Sequence, residues 1–229
     1  MDDSQRFREA AVRWAADGAG AAAAAEVVRG LVADSRVRAA LLVEGGSDQA
    51  ALQTLAARRC RDLDAEGVAI VPLGGATSIG RFLKLLGPPG LGIRLAGLCD
   101  AGEEGYFRRS LERSGLGTGL TRSGMEALGF FVCTADLEDE LIRSHGPAAV
   151  EGVIEAQGDL RAFRTFQNQP AQRDRTIEQQ LHRFMGTTSG RKAHYAQALV
   201  AELDLARVPR PLDGLLAYTP PAGAVSRWR

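Results

Sequence analysis

In Leu41-Leu42-Val43-Glu44-Gly45-Gly46-Ser47-Asp48, an apolar run ends on a glutamate, turns on two glycines and enters a helix that begins near a second acid. The carboxylates of Glu44 and Asp48 therefore lie at the mouth of a strand-to-helix turn, where open α/β sheets place their ligands. An alternative is that Ser47 caps the helix and Asp48 complements its dipole. That alternative accounts for Asp48 but not for an acid at the end of an apolar strand.

The strand-then-helix pattern of this stretch repeats along the chain. Apolar runs at 39–43, 68–72, 93–99 and 130–134 alternate with helical patterns at 47–63, 78–86, 103–113 and 136–144. Such alternation implies right-handed crossovers and a parallel sheet with helices on both faces. Strands that are apolar along their whole length are typical of a sheet covered on both sides. We therefore expect an α/β fold with a four-stranded parallel sheet.

Helical segments flank the predicted sheet on both sides in sequence. Two helices precede it, and four follow it at 148–157, 159–167, 175–185 and 191–203. We divide the chain into an N-terminal helical segment (1–37), a main domain (38–205) that includes a helical annex (146–205), and a C-terminal tail (206–229). Prolines at 209, 211, 220 and 221 predict that this tail is irregular.

Composition limits the function classes. Basic and acidic residues balance at 28 each, so any charged partner must be met by a local patch. The N-terminus has no signal-peptide pattern, and no apolar run reaches the roughly 20 residues of a membrane span. We expect a soluble, cytoplasmic protein without a membrane partner. Cys60, Cys99 and Cys133 form no C-x-x-C pair, which predicts buried, reduced thiols.

Two further acidic positions coincide with predicted strand ends. Asp100 ends the third strand, and residues 136–140 (Asp-Leu-Glu-Asp-Glu) open the last helix of the sheet with four acids. Each position alone is compatible with a solvated surface. Parallel strands bring their C-terminal ends to one edge, however, and the three positions together favour a site for Mg²⁺ or Mn²⁺. Phosphoryl chemistry would follow, with one ion activating water and a second, about 3.5–4 Å away, stabilising the leaving oxygen.

Basic residues of the annex suggest a phosphate-containing partner. Only two of the 28 basic residues are lysines, Lys84 and Lys192. Lys192, in Gly190-Arg191-Lys192 at the start of a late helix, is suited to stabilise charge on a phosphate, although a solvated helix face is the alternative. The annex has more arginines than acids, and we predict that nucleic-acid phosphates contact Arg164, Arg173, Arg175, Arg183 and Arg191.

Several other motifs are excluded. Residues 75–82 have P-loop glycine spacing, but Arg81 and Phe82 replace the required lysine and hydroxyl residue. No G-x-G-x-x-G follows the first strand, which disfavours dinucleotide binding. The three histidines show no metal-ligand spacing, so we expect surface or packing roles for His145, His182 and His194.

Four segments, taken in order, resemble the TOPRIM domain of overcoming-lysogenization-defect (OLD) nucleases, over roughly residues 38–205. They are 42–48, Leu98-Cys99-Asp100, 136–141 and Gly190-Arg191-Lys192. The resemblance implies a TOPRIM-like (Rossmann-like) fold and a two-metal nuclease site. By that resemblance, Glu44 and Lys192 are catalytic, Lys192 in the transition state. The metal ligands would be Glu44, Asp48, Asp100, Asp136 and Glu138.

The sequence departs from this family in two respects. Its third-strand motif is usually Asp-x-Asp, whereas Gly102 stands here at the second acidic position. Glu103 or Glu104 could substitute, or the site could hold one ion. The family also commonly carries an ATPase domain ahead of the TOPRIM part. The resemblance thus implies either a stand-alone nuclease or a subunit that works with a separate ATPase.

We therefore expect a metal-dependent endonuclease that hydrolyses phosphodiester bonds, of DNA rather than RNA. The alternative is a non-catalytic module that binds nucleic acid or a partner and keeps the fold. Another TOPRIM reaction, primer synthesis or ribosomal RNA maturation, stays open, although the lack of a zinc-ribbon cysteine set argues against a complete primase. A homodimer is also compatible with the sequence.

Overall fold

A computed structural model describes residues 2–187 and 190–219. The helices and strands of these residues are α1 Asp3–Ala15, α2 Ala21–Ala33, β1 Ala39–Val43, α3 Gly46–Arg58, β2 Val68–Pro72, α4 Ile79–Leu86, β3 Arg94–Cys99, α5 Glu104–Arg113, α6 Arg122–Ala127, β4 Phe130–Val132, α7 Leu137–His145, α8 Pro147–Ala156, α9 Leu160–Gln167, α10 Ile177–Met185, α11 Arg191–Glu202 and α12 Arg210–Tyr218.

The four strands form one parallel sheet in the order β2-β1-β3-β4. β1 is central and pairs with β2 and β3, with Leu42 opposite Val71 on one side and Gly97 on the other. Because the strands run in one direction, their C-terminal ends lie at the same edge. The predicted α/β fold with a four-stranded parallel sheet and flanking helices is confirmed.

Alternate residues of each strand feed two separate cores. Leu41 and Val43 face a core shared with α3 and with helices α7 to α12, whereas Ala40 and Leu42 face a core shared with α1, α2, α4 and α5. The helical annex belongs to the first of these cores. Within it, buried annex residues such as Phe163 and Leu199 share one cluster with Leu41 of β1 and Leu55 of α3, so the annex packs on the sheet domain.

The C-terminal region differs from the expected irregular tail, because residues 210–218 form α12. Pro211 lies in the first turn, where a missing N–H costs nothing. Leu212, Leu215 and Leu216 are fully buried, and Arg61 donates to the Leu216 carbonyl at 2.6 Å. Pro220 and Pro221 lie outside the described residues.

Gly214 explains why α12 approaches the sheet so closely. A Cβ at this position would lie 2.4 Å from the ring of Phe131, in β4. Only glycine leaves room for that ring, and α12 therefore packs directly against β3 and β4.

The thiols are only partly as expected. Cys99 and Cys133 are buried, whereas Cys60 is exposed, just beyond the end of α3, with a φ of 53°. The prediction of burial was therefore wrong for Cys60. None of the helices in the described part of the chain is long and apolar enough to cross a membrane.

Candidate metal centre

The turn after β1 positions the first two acids. Glu44 follows the strand directly, and α3 begins at Gly46 with Gly45 at its N-cap position. Asp48, in the first turn of α3, accepts a hydrogen bond from the Gly45 N–H at 2.9 Å. Asp48 therefore does cap the helix, in place of Ser47, and it is buried, with 7% of its surface exposed.

A hydrogen bond joins the ends of β1 and β3. The backbone N–H of Asp100 donates to Oε1 of Glu44 at 2.9 Å, although the two residues are 56 positions apart. Glu44 is thereby held over the strand ends, next to Asp100. Burial raises the pKa of Glu44 above its ordinary value in spite of this bond, and the charge of Glu103 adds to the effect.

Electrostatic coupling shows that the acids of all three strand ends lie close together. Burial raises the pKa of Asp100 to about 7, and the charges of four other acids add to the shift: Glu44, Asp48, Asp136 and Glu138. Burial likewise raises the pKa of Asp48 to about 7, with contributions from Glu138 and Glu44. The five predicted ligands are therefore near enough to influence one another's ionisation, and two of them, Asp136 and Glu138, also have donor atoms within 4.8 Å of each other.

Asp136 lies at the start of α7, where a backbone N–H and a histidine side chain stabilise its charge. Asp136 is the N-cap residue and accepts the Asp139 N–H at 2.8 Å. Its other oxygen, Oδ2, lies 2.6 Å from Nε2 of His182 on α10. Although burial opposes the change, the hydrogen bonds from His182 and Asp139 lower the pKa of Asp136. The same bond raises the pKa of His182.

Glu138 and Lys192 form the second pair at α7. Glu138 is 4% exposed, and its Oε2 lies 3.3 Å from Nζ of Lys192 on α11. The other oxygen, Oε1, is buried and has no hydrogen-bond partner in residues 2–187 and 190–219. Partial burial of Lys192 disfavours its charge, but Glu138 and the neighbouring acids raise the pKa of the lysine.

The two predicted substitutes for the missing second acid are placed differently. Glu104 pairs with Arg122 at 2.7 Å and lies 3.7 Å from Arg108, so its charge is already balanced. Glu103 lies near enough to Glu44 to raise the pKa of that residue. A Cβ added to Gly102 would meet no atom within 4 Å. Of the two, Glu103 is better placed to act as a ligand.

The donor set fits a divalent cation. Carboxylate oxygens are the ligands that Mg²⁺ and Mn²⁺ prefer, and among the described residues the partners of the five carboxylates include one ammonium group, Lys192, and one imidazole, His182. A buried carboxylate oxygen without a partner is costly, and Glu138 has one. A dication at this edge would favour the ionised form of the acids whose pKa values burial raises.

The predicted nucleic-acid contacts are spread over the annex. Arg183 is exposed, and Arg173 and Arg175 bond to backbone carbonyls through Nε. Arg164 already pairs with Glu151 at 2.5 Å. Arg191 lies over the ring of Phe184 at 4.6 Å and lines an open cleft of about 610 Å³ together with Arg161 and Phe166.

His182 is the site residue that sequence reasoning missed. We expected a surface or packing role, but its ring belongs to a group of potential ligands with Asp136 and Glu138, whose donor atoms lie within 4.8 Å of one another. His182 is 46 positions from Asp136, so no local spacing could indicate the pair. The acidic segment opens α7, and His182 lies on α10, the third helix after it, so the contact depends on how these helices pack.

A parallel sheet with acids at the ends of β1 and β3 and at the start of the helix after β4 resembles the arrangement of TOPRIM domains. Residues 37–101 match the family model described as the overcoming lysogenization defect protein-like TOPRIM domain. The match includes Glu44, Asp48 and Asp100, and the resemblance to OLD-type TOPRIM domains is confirmed. No curated protein matches the chain.

Solved structures extend this relationship beyond residue 101. The C-terminal region of the Burkholderia pseudomallei OLD protein has a TM-score of 0.62 and 21% identity, covering 80% of this chain and 97% of that one. The C-terminal region of the Xanthomonas campestris pv. campestris OLD protein has a TM-score of 0.63 and 25% identity, covering 80% and 92%. A further structure of the latter region is 26% identical, with a TM-score of 0.59.

Proposed function

We propose that the protein is a Mg²⁺- or Mn²⁺-dependent endonuclease that hydrolyses phosphodiester bonds of DNA. One observation carries the proposal: five carboxylates converge at one sheet edge, two with a pKa of about 7 and one with a buried, unpartnered oxygen. The proposed ligands are Glu44, Asp48, Asp100, Asp136 and Glu138. When bound, a divalent cation would lower the pKa of a coordinated water and withdraw charge from the phosphoryl oxygens.

Lys192 has a distinct role in this proposal. Because the surrounding acids raise its pKa, the ammonium group stays protonated at neutral pH. It therefore acts as a positive charge or a proton donor toward the phosphate and not as a general base. Its half-exposed side chain is accessible to a substrate while its Nζ remains beside Glu138.

Glu44 has a positioning role as well as a proposed role in metal binding. Its bond to the Asp100 N–H fixes the orientation of one carboxylate oxygen at the strand ends. In this proposal the arginines of the annex, among them Arg183 on α10 and Arg191 on α11, supply a surface for the phosphate backbone.

The partner proposals follow from the relatives. The matched structures are C-terminal regions of OLD proteins. Because OLD-type proteins commonly carry an ATPase domain ahead of the TOPRIM part, we propose a separate ATPase as a protein partner of this chain.

A cleavage assay tests the function. Supercoiled and linear DNA are incubated with the wild type, Glu44→Gln, Glu138→Gln and the control Asp139→Asn, in Mg²⁺, in Mn²⁺ and in EDTA. Asp139 lies in the same acidic segment as Glu138 but pairs with Arg143 at 2.8 Å. We expect metal-dependent cleavage by the wild type and Asp139→Asn only. Equal cleavage by Glu44→Gln, or none by the wild type, contradicts the proposal.

A second candidate is a nucleic-acid-binding module without turnover. Gly102 favours it, because β3 then contributes a single acid, Asp100, to the site. Binding that weakens with salt, persists in EDTA and leads to no cleavage would support this candidate over the nuclease.

A further inference from the structure

We propose that His182 is a metal ligand together with Asp136 and Glu138, and that its imidazole nitrogen makes the site prefer Mn²⁺ over Mg²⁺. This inference rests on the proposed metal-dependent function and names the third ligand of one ion within it. Two helices deliver the donor atoms: α7, through its N-cap and first turn, and α10, through its last turn.

The distances permit a shared ion. Nε2 of His182 and Oδ2 of Asp136 lie 2.6 Å apart, and the three donor atoms lie within 4.8 Å of one another. Two ligands on opposite sides of an ion, each about 2.1 Å from it, are about 4.2 Å apart. Small side-chain adjustments are therefore enough to place all three atoms around one cation.

Glu138 supplies an independent reason for a cation at this point. Its Oε1 is buried and has no hydrogen-bond partner in the described part of the chain, and only 5% of the side chain is exposed. Lys192 reaches only the other oxygen, Oε2. The carboxylate with this unpartnered oxygen belongs to the same three-residue group as His182, and an ion bound to the group would lie next to it.

The nitrogen donor determines the metal preference. Mg²⁺ is a hard cation that favours an all-oxygen shell, whereas imidazole is a common ligand of first-row transition metals. A site with one imidazole and two carboxylates therefore discriminates against Mg²⁺ relative to Mn²⁺. A site with carboxylates alone lacks this discrimination.

The competing interpretation is that His182 only orients Asp136 by its hydrogen bond, as second-layer partners of metal ligands do. Loss of such a positioning role weakens both metals to a similar degree. Loss of a nitrogen ligand weakens Mn²⁺ more than Mg²⁺ and removes a nitrogen from the Mn²⁺ coordination shell.

Pulsed electron paramagnetic resonance of bound Mn²⁺ detects directly coordinated ¹⁴N and tests the proposal on the full chain. The variants are His182→Gln and the control His194→Gln, which removes an exposed imidazole beside Tyr195. We expect ¹⁴N modulation in the wild type and in His194→Gln, and none in His182→Gln. In His182→Ala, added imidazole should restore the modulation.

Calorimetric titration with each metal provides the second measurement. We expect His182→Gln to lower Mn²⁺ affinity at least about tenfold and Mg²⁺ affinity by less. Mn²⁺ binding without ¹⁴N modulation, or equal losses for both metals, overturns the assignment of His182 but leaves the carboxylate site intact. Absence of Mn²⁺ binding to the wild type overturns the proposed function as well.

Discussion

The two halves of the acidic site are neutralised in different ways. In the sheet half, Glu44, Asp48 and Asp100 bond to backbone N–H groups or to no described donor, and their pKa values are raised. In the helix half, Asp136 and Glu138 each have a side-chain partner, His182 and Lys192. In the metal-free protein the charge of the helix half is thus partly balanced by side chains, whereas the acids of the sheet half have no such partner among the described residues.

This difference separates the roles of the halves. Raised pKa values mean that the ionised carboxylates of the sheet half are unfavourable in the metal-free protein, so a bound cation would relieve an electrostatic cost there. In the helix half, the ammonium group of Lys192 is available to act on a phosphate. The predictions below test this division, beginning with the largest expected effect.

Within the helix half, Lys192 should govern turnover more than metal binding. We expect Lys192→Met to lower kcat about 10²- to 10³-fold, because a preorganised charge near the reacting phosphate is lost. Mn²⁺ affinity should change by no more than a few-fold. Single-turnover cleavage and calorimetry measure the two quantities, and Lys84→Met, which removes the exposed lysine of α4, is the matched control. A loss of affinity as large as the loss of rate would contradict the division.

The sheet half should govern metal binding. We expect Asp100→Asn to lower Mn²⁺ affinity about 10- to 100-fold. The same variant should raise the metal-free unfolding free energy at pH 8 by about 1–2 kcal/mol, since a buried charge is removed. Calorimetry and denaturant unfolding give the two numbers. If stability falls together with affinity, Asp100 is not under electrostatic strain in the metal-free protein.

The pH dependence of stability has a defined sign. Asp48 and Asp100 have a pKa of about 7 in the fold, above the ordinary value of 3.8, so the native state binds more protons than the unfolded chain between these values. The metal-free unfolding free energy should therefore fall as pH rises from about 4 to 7. The raised pKa of His182 acts in the same direction above its ordinary 6.5.

Metal binding should show the opposite trend, because the cation competes with protons for Asp48 and Asp100. Affinity for Mn²⁺ should rise about tenfold or more between pH 6 and pH 8. Thermal unfolding with and without metal across this range measures both trends. In the Asp48→Asn/Asp100→Asn double variant, both stability and metal affinity should depend less on pH. A wild-type curve as flat as that of the double variant would contradict the raised pKa values of Asp48 and Asp100.

Adding an acid to the sheet half should strengthen its metal binding. Gly102→Asp restores the second acid of the third-strand motif at a position where a Cβ has space, and we expect metal affinity to rise about two- to tenfold. Gly152→Asp, at an exposed position of α8 with equal space, controls for added charge. An unchanged affinity would indicate that Glu103 already fills this role.

The smallest effect concerns the basic surface beside the helix half. We expect Arg183→Gln to reduce the salt dependence of DNA binding by about one unit of logarithmic slope, because one phosphate contact is lost. Arg29→Gln removes a similarly exposed arginine from α2, which packs on the opposite core, and should leave the slope unchanged. Fluorescence anisotropy at several salt concentrations measures the salt dependence of DNA affinity for both variants. Equal slopes for the two variants would exclude Arg183 from the interface.

Much of the fold was predictable because its signals are local. The apolar runs of β1 and β2 ended where the structure ends them, at Val43 and Pro72. α6 and α12 were missed: α6 has only six residues, and the prolines near α12 suggested a break. What stabilises α12 is tertiary, since Arg61 and the ring of Phe131 come from distant segments.

Only the part of the site that follows from strand direction could be predicted from the sequence. Convergence of the strand-end acids follows from a parallel sheet, so Glu44 and Asp100 could be placed together. Whether Glu104 faces the site or Arg122, and whether His182 meets Asp136, depends on how helices pack. No pattern of spacing within the sequence carries that information.

The hydrogen bonds across the site also determine when it can form during folding. They join residues 46, 54 and 56 positions apart, and no locally folding segment contains more than two of the five acids. The site is complete only after α11 has docked on α3. A cation specific for the finished site stabilises the native state by about 2.7 kcal/mol at a hundredfold excess over its Kd. Metal occupancy would thus report that the chain has finished folding, and a partly synthesised chain would carry no active centre.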